Sequence, residues 1–197
     1  MNNAYFCSST NALCCYFQTM GPYFQKHNWP PFIHNGQTYD LSHLAEFVIA
    51  ITDHNNVERK IAVTFEDHCF TRDPEPGDTA STIYPGCSRN PGHFCFDRYN
   101  HSLNLVAQIQ RAATGNVKIG EGRENYVIVN LVNATGETEE YAVFFSLDKV
   151  KGLPVHLHMR VRSAYPVTQK KLVTHGTVKF RRLVSLRMQN KTPHRKP

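Results

Sequence analysis

The sequence predicts an α+β domain in which a single antiparallel β-sheet packs on one main helix. Stretches in which apolar and polar residues alternate recur along the chain, and this period of two is typical of half-buried strands. One stretch, from Asn100 or Ser102 to Ala113, instead places its apolar residues at helical spacing, and Gly115 follows as a suitable stop. The chain has 197 residues, of which 41% are hydrophobic and 19% charged, so it is long and apolar enough to fold as one domain around a core.

The first 40 residues show neither the period of two of a strand nor the spacing of a helix. Their apolar and aromatic residues are interrupted by breakers, most densely at Trp29-Pro30-Pro31. This pattern predicts an irregular N-terminal arm over residues 1–40, with at most one short helix around Asn11–Met20. The α+β domain is then predicted over residues 41–188 and a basic tail over 189–197.

The first two predicted strands form a hairpin. Leu44–Thr52 and Arg59–Asp67 are joined by Asp53-His54-Asn55-Asn56, which has the composition of a turn. At the end of the second strand, Glu66 and His68 would be neighbours on the open side. A carboxylate near an imidazole is the minimum needed to orient a general base, although such neighbours are also common by chance.

A long segment rich in proline and glycine, Arg72–Gly92, separates this hairpin from the helix. A loop of this length inside a compact domain is usually either functional or disordered. Beyond the helix, Asn125–Val132 and Glu139–Leu147 are predicted to pair around a hairpin loop at 133–136. A last strand is predicted over Gly176–Leu186. Its basic side chains include Lys179, Arg181 and Arg182.

The central strand, Val155–Pro166, carries the strongest alternation of the chain. One side is predicted to point into the core, and it consists of Val155, Leu157, Met159, Val161 and Ser163. The other side presents two imidazoles and two guanidiniums, from His156, His158, Arg160 and Arg162. Such a face suits an anionic substrate, while the alternative is a solvated strand face that happens to be basic.

Net charge indicates the class of partner, and the cysteine content indicates the cellular compartment. A net charge of +6 and a pI of about 9.0 favour nucleic acid or another polyanion. The N-terminus lacks a positively charged export signal, and the apolar run Phe47–Ile51 is too short to span a bilayer, so no membrane association is expected. The six cysteines are irregularly spaced and are expected to be reduced thiols in the cytoplasm.

Three groups of residues are candidates for function. The first is a set for acid–base chemistry without metal. Its imidazole is His68, His156 or His158, and its other members are Arg98, Arg160, Arg162, Ser163 and Tyr165. Cleavage of RNA by its own 2′-OH needs a base for that hydroxyl, an acid for the leaving 5′-oxygen and cations for the phosphorane, and these residue types meet those needs.

The second candidate is a zinc site formed by Cys87, His93 and Cys95, with His68-Cys69 brought alongside. The chain contains no Cys-x-x-Cys pair, and free cysteines are often small buried apolar residues, so no metal ligand and no cofactor are predicted. The third candidate is a basic surface without catalysis, made from the central strand, the last strand (Lys179 and Arg181) and the tail.

Several runs of the sequence resemble a known family. They are Gln37-Thr38-Tyr39-Asp40-Leu41-Ser42-His43-Leu44-Ala45-Glu46-Phe47, His68-Cys69-Phe70-Thr71-Arg72, Phe94-Cys95-Phe96-Asp97-Arg98-Tyr99 and Ser163-Ala164-Tyr165. In this order, over residues 35–185, they resemble bacterial and prophage proteins labelled heat-shock protein C or stationary-phase growth adaptation protein.

A second resemblance concerns the last third of the chain. The strand ending Ser163-Ala164-Tyr165-Pro166 is similar to the closing strands of the barnase/EndoU/colicin/RelE-like ribonucleases, in which a Ser or Thr and an aromatic residue lie at the active edge. This resemblance implies a small metal-independent endoribonuclease, with a toxin of a mobile element as one role. The chain departs from that pattern because the sequence does not place a matching helix-borne catalytic pair before the sheet.

The function expected from the sequence is therefore a metal-independent endoribonuclease, a toxin of a phage or mobile element, that cleaves RNA by acid–base catalysis. The alternative is a non-catalytic nucleic-acid- or protein-binding factor of a phage or stress locus. The expected partners are RNA or another nucleic acid and an inhibitor or host protein.

Overall fold

The computed structural model describes residues 22–24, 29–87, 92–121, 124–132, 138–167 and 172–194. These residues form eleven strands and three α-helices. The strands are β1 (Phe32–His34), β2 (Gln37–Tyr39), β3 (Phe47–Thr52), β4 (Glu58–Phe65), β5 (Thr71–Arg72), β6 (His93–Phe94), β7 (Asn116–Ile119), β8 (Asn125–Val132), β9 (Thr138–Lys149), β10 (Leu157–Pro166) and β11 (Thr177–Lys179). The helices are α1 (Phe96–Ser102), α2 (Leu105–Thr114) and α3 (Phe180–Met188).

The main sheet is mixed and curls like half of a barrel. Its seven strands lie in the order β11-β7-β8-β9-β10-β4-β3, and β1-β2 and β5-β6 form two small separate sheets. β10 pairs antiparallel with β9 on one side and parallel with β4 on the other. The prediction of a single antiparallel sheet on one main helix is therefore wrong. Alternation identifies a strand and its buried face, but it carries no information about the direction of its neighbour.

The predicted β3–β4 hairpin is confirmed, and a buried carboxylate organises its turn. The side chain of Asp53 accepts hydrogen bonds from the backbone N–H groups of Asn55 (2.7 Å) and Val57 (3.1 Å) and from Nε of Arg59 (3.0 Å). Burial alone would raise the pKa of Asp53, but these donors outweigh it and the pKa lies below its usual value. The turn is thus held by a charged group that has no contact with solvent.

The helices differ from the prediction in number and position. The helix predicted from Asn100 or Ser102 to Ala113 corresponds to α2, and α1, which was not predicted, precedes it and is separated from it at 103–104. The predicted strand Gly176–Leu186 is corrected to the short β11 followed by α3. The reason is visible in the sequence: Phe180, Leu183 and Val184 follow helical spacing, and all three are buried in the core.

The core lies between the helices and one face of the main sheet, here called the inner face. In β10 the inner face consists of Leu157, Met159 and Val161, which are all buried in the same cluster as residues of α2 and α3. The opposite, outer face carries two smaller apolar clusters. One consists of Val48, Ala62 and Val155, with Tyr23 and Phe24 against them. The other consists of Tyr126, Ala142 and Phe144, with Tyr165, Val167 and Leu172 against them.

The described part of the predicted arm includes a regular hairpin. Strands β1 and β2 pair antiparallel, and the ring of Phe32 is buried and stacks on Phe94 with the ring centroids 4.3 Å apart. The helix predicted around Asn11–Met20, the hairpin loop at 133–136 and the N-terminal cysteines Cys7, Cys14 and Cys15 lie outside the described residues.

The described part of the proline- and glycine-rich segment is held by an ion pair. The two guanidinium nitrogens Nη1 and Nη2 of Arg72 donate to the carboxylate of Asp78 at 2.6 Å each. The Arg72 guanidinium holds the pKa of that carboxyl well below its usual range. Tyr84 is buried and donates its hydroxyl hydrogen to the carbonyl of Pro30 at 2.8 Å.

Within the described ranges, no helix has both the length and the apolar character needed to cross a bilayer. Cys69, Cys87 and Cys95 are free thiols.

Candidate active site

A pocket opens on the outer face where β4 leaves the main sheet. β10 and β4 pair in parallel from Leu157 opposite Ile61 to Val161 opposite Phe65. The backbone N–H of Glu66 makes one more bond, to the carbonyl of Val161 at 2.8 Å. Beyond it the chain turns away through a 3-10 turn at Asp67–Cys69, whereas β10 continues beside β9 to Pro166. The departure of β4 leaves room beside the last residues of β10.

A β-bulge in β10 decides which side chains enter this space. The register with β9 shifts between Val161 and Ser163, so one extra residue is accommodated there. As a result Ala164 is buried in the core, and Ser163 joins Tyr165 among the residues that line the pocket. Strict alternation predicts the opposite orientation for Ser163, and that part of the prediction is wrong.

The pocket has a volume of about 810 Å³ and brings together most of the site residues that the sequence predicts. All four predicted catalytic residues line it, namely His68, Arg98, Ser163 and Tyr165. Three of the predicted nucleic-acid-binding residues also line it, namely His158, Arg160 and Arg162. The remaining lining residues include the carboxylates of Glu66, Asp67 and Glu124 and the rings of Phe24 and Trp29.

Carboxylates and guanidiniums alternate across the pocket. The carboxylate of Glu66 lies 3.8 Å from Nε of Arg160 and 4.0 Å from Nε of Arg162. Nη1 of Arg162 lies 3.8 Å from the carboxylate of Glu124 on the other side. These distances exceed those of direct hydrogen bonds, and both arginine side chains are about half exposed. The guanidiniums are therefore held by charge attraction and remain accessible to an anionic ligand.

Arg98 connects three parts of the site. Its Nη1 donates to the backbone carbonyls of His68 (3.1 Å) and Thr71 (2.7 Å), which fixes the turn that follows β4. Its Cζ lies 5.4 Å from the centroid of the Tyr165 ring, within the range of a cation–π contact. The residue thus positions the segment that carries His68 and adds a positive charge beside the phenol.

Burial raises the pKa values of Glu124 and Tyr165. Burial raises the pKa of Glu124, and the nearby Arg162 only partly opposes this change. Burial also raises the pKa of Tyr165, and the negative charge of Glu124 adds to the effect. A phenol is protonated at neutral pH even without this shift, so Tyr165 carries a proton that it can donate.

His158 is held on both sides. Its Nε2 lies 2.8 Å from Oγ1 of Thr64, and its ring stacks on Phe24 with the ring centroids 3.8 Å apart and the planes 1° from parallel. Burial lowers the pKa of His158, and the positive charge of Arg160 lowers it further. The imidazole is therefore mainly neutral at pH 7.

Three predicted binding residues lie outside the pocket lining. Nδ1 of His156 accepts a hydrogen bond from the backbone N–H of Lys60 at 2.9 Å, which joins the start of β10 to β4. Lys179 and Arg181 are exposed and lie beside and in α3, which packs on the inner face of the sheet. The structure separates these two residues from the arginines of β10.

Sequence reasoning missed Phe24, Trp29, Thr64 and Glu124 as parts of the site. Thr64 had a signal, because it shares the outer face of β4 with Glu66. The other three come from segments distant along the chain and carry no local pattern that points to the pocket.

Two of the candidate zinc ligands, His93 and Cys87, contact other protein groups. Nδ1 of His93 lies 2.8 Å from Oγ1 of Thr82 and 3.7 Å from the Asp78 carboxylate. Burial raises the pKa of the Cys87 thiol to about 11, and a hydrogen bond with Asp67 adds to the effect. Within the described ranges, no group of three or more His, Cys, Asp or Glu residues has the arrangement of metal ligands.

Comparison with known proteins corrects the resemblances suggested by sequence motifs. The YjaZ family model matches residues 31–188, which is most of the chain. Protein YjaZ of Escherichia coli (strain K12) is 27% identical over 149 residues, covering 72% of this chain and 82% of that protein. These matches support neither a heat-shock protein C family nor the ribonuclease families.

No solved structure matches the chain. Two residues that line the pocket, Phe24 and Trp29, precede the matched range, and the other lining residues lie inside it. The chain is a member of the YjaZ family.

Proposed function

We propose that the pocket binds RNA and cleaves it as a metal-independent endoribonuclease. The observation that carries the proposal is that His68, Arg98, Ser163 and Tyr165 line one pocket together with Arg160 and Arg162. A phosphodiester needs cations around its non-bridging oxygens, and three guanidiniums supply them here. A binding surface without catalysis would not require an imidazole, a phenol and a hydroxyl beside those cations.

The reaction assigned to this site is attack of the ribose 2′-OH on the adjacent phosphorus. The imidazole of His68 takes the proton of the 2′-OH, the 2′-oxygen bonds to phosphorus, and the bond from phosphorus to the 5′-oxygen breaks. The protonated phenol of Tyr165 gives its proton to that leaving oxygen. The products are a 2′,3′-cyclic phosphate and a free 5′-hydroxyl.

The other residues stabilise and position charge in this scheme. Arg160 and Arg162 face the negative charge that develops on the phosphorane, and the hydroxyl of Ser163 donates to one of its oxygens. Glu66 positions the two guanidiniums through its charge. Arg98 fixes the backbone of His68.

The test is cleavage of a defined RNA by the purified chain, with and without a chelator. We expect cleavage that the chelator leaves unchanged, products ending in a 2′,3′-cyclic phosphate, and no cleavage where the attacking ribose is 2′-deoxy. His68→Ala should lower the rate by roughly a hundredfold or more. His54→Ala, in an exposed turn, is the matched control and should retain the rate.

The proposal also predicts a cytoplasmic location, where RNA is accessible, and a toxin role predicts growth arrest when the chain is expressed. RNA binding without cleavage, in a folded protein, would favour the alternative of a non-catalytic nucleic-acid-binding factor.

A further inference from the structure

Aromatic groups lie at both ends of the basic stretch of β10. At one end, Phe24 stacks on His158, and both rings line the pocket. At the other end, Tyr165 stacks on Phe144 with the ring centroids 5.1 Å apart and the planes at 22°. We call these pairs the Phe24–His158 stack and the Tyr165–Phe144 stack.

The Phe24–His158 stack is fixed by contacts on both partners. The backbone N–H groups of Tyr23 and Phe24 donate to the two carboxylate oxygens of Glu46, at 2.7 Å and 2.8 Å. On the other side, Thr64 holds the imidazole of His158. Both rings are therefore already positioned before a ligand binds, which reduces the entropy lost on binding.

The guanidiniums of Arg160 and Arg162 lie between the two stacks. At about 3.3 Å per residue, the part of β10 from His158 to Tyr165 spans roughly 23 Å. The order along the strand is thus ring, cations, ring, over a length that exceeds one nucleotide. Alternation of stacking surfaces with cations is the pattern by which proteins bind single-stranded nucleic acid.

We infer that the pocket is specific for single-stranded RNA, with unpaired bases against the two stacks and the intervening phosphates at Arg160 and Arg162. A duplex does not fit this arrangement, because its bases are stacked on one another and only their edges are exposed. The inference rests on the proposed function in one respect, which is that both place RNA phosphates on these arginines.

Binding can be measured separately from cleavage with fluorescently labelled 2′-O-methyl RNA, which lacks the attacking hydroxyl. The single strand and the same strand annealed to its complement are titrated with the full chain at one salt concentration. We expect the single strand to bind at least tenfold more tightly. Equal affinities, or tighter binding of the duplex, would overturn the inference.

Substitutions at Phe24 test whether the stacks cause the preference for single strands. Phe24→Ala should weaken binding of the single strand by roughly five- to 150-fold, the range expected for loss of one stacked base, and should leave duplex binding unchanged. Phe24→Tyr keeps a ring and should restore the affinity. Ile33→Ala, at a side chain that is 65% exposed and outside the pocket, is the matched control.

The same effect can be tested from the ligand side, where folding of a variant is not in question. Abasic nucleotides placed in turn along the single strand should reduce affinity at two positions and have little effect between them. A uniform response along the strand would overturn the inference. The proposed cleavage is judged independently, because a chain that prefers single strands but does not cut RNA would contradict the proposed function alone.

Discussion

The guanidinium carbon of Arg98 lies 5.4 Å from the centroid of the Tyr165 ring, and the two residues come from a helix and from the end of a strand. The same guanidinium is fixed by two backbone carbonyls of the segment that follows β4. Arg98 therefore joins the positions of His68 and Tyr165, the two groups to which the proposed proton transfers are assigned.

Tyr165→Phe should remove most RNA cleavage and leave RNA binding nearly unchanged. The substitution removes one oxygen and retains the contacts of the ring with Phe144 and Arg98. Loss of a proton donor in the transition state should lower kcat by roughly a hundred- to ten-thousandfold. Cleavage rates and 2′-O-methyl RNA binding measure the two effects. Full activity in a protein with an unchanged circular dichroism spectrum would contradict the assignment of Tyr165.

Replacing Arg160 and Arg162 together with alanine should weaken RNA binding and flatten its dependence on salt. Each lost phosphate contact reduces the slope of log K against log salt by roughly 0.7 to one unit, so we expect a change of about two units or fewer. The fold should survive, because both side chains face outward. Arg111→Ala with Lys151→Ala removes the same charge from exposed positions outside the pocket and controls for net charge.

Glu66→Gln should tighten RNA binding while lowering kcat. The carboxylate competes with phosphate for Arg160 and Arg162, and exposed ion pairs contribute at most about 1 kcal/mol, so the gain in affinity should be about fivefold or less. Without the charge that positions the guanidiniums, turnover should fall. Steady-state kinetics and binding to 2′-O-methyl RNA provide both quantities. Glu58→Gln, at the exposed start of β4, should change neither quantity. Weaker binding in Glu66→Gln would show that the carboxylate does not compete with RNA.

Asp53→Asn should destabilise the protein by about 2–3 kcal/mol at pH 7, because a buried charged acceptor of three hydrogen bonds is replaced by a neutral group. The pKa of Asp53 is lowered in the folded state, so its ionised form stabilises the fold fully above its unfolded value near 3.8. That contribution is lost as the pH falls through the folded pKa. Urea unfolding of both proteins from about pH 7 to pH 2 should therefore show the difference in the free energy of unfolding shrinking only in the acid range. The exposed Asp73→Asn serves as the control, and a difference that is constant with pH would refute the role of the charge.

The sequence predicts the buried face of several strands correctly. The alternation of Leu157, Met159 and Val161 correctly predicted the inner face of β10, because burial of one face imposes a period of two. The position of Glu66 beside the pocket follows from the same rule applied to β4, whereas His68 reaches the pocket through the 3-10 turn that follows the strand.

Other features depend on contacts between distant residues and have no local signal. The bulge at Val161–Ser163 places Ser163 in the pocket, and an extra residue of this kind does not alter the hydrophobic pattern before it. The arrival of Arg98 and Glu124 beside β10 depends on how α1 and the segment before β8 pack on the rest of the chain. Helix α3 is a different case, because the helical spacing of Phe180, Leu183 and Val184 is a local signal that contradicts a strand over Gly176–Leu186.

The parallel pairing of β4 with β10 has a consequence for the order in which the molecule is assembled. The side chains of Thr64 and His158 are hydrogen-bonded across this pair, and the two residues are 94 positions apart in the chain. Local hairpins such as β3–β4 close short loops and can form early, whereas contacts across such a separation require a large loss of chain entropy first. During synthesis the residues of the β3–β4 hairpin are made long before residue 157, and the pocket exists only once β10 has docked. The chain is therefore without its proposed activity until the main sheet is complete.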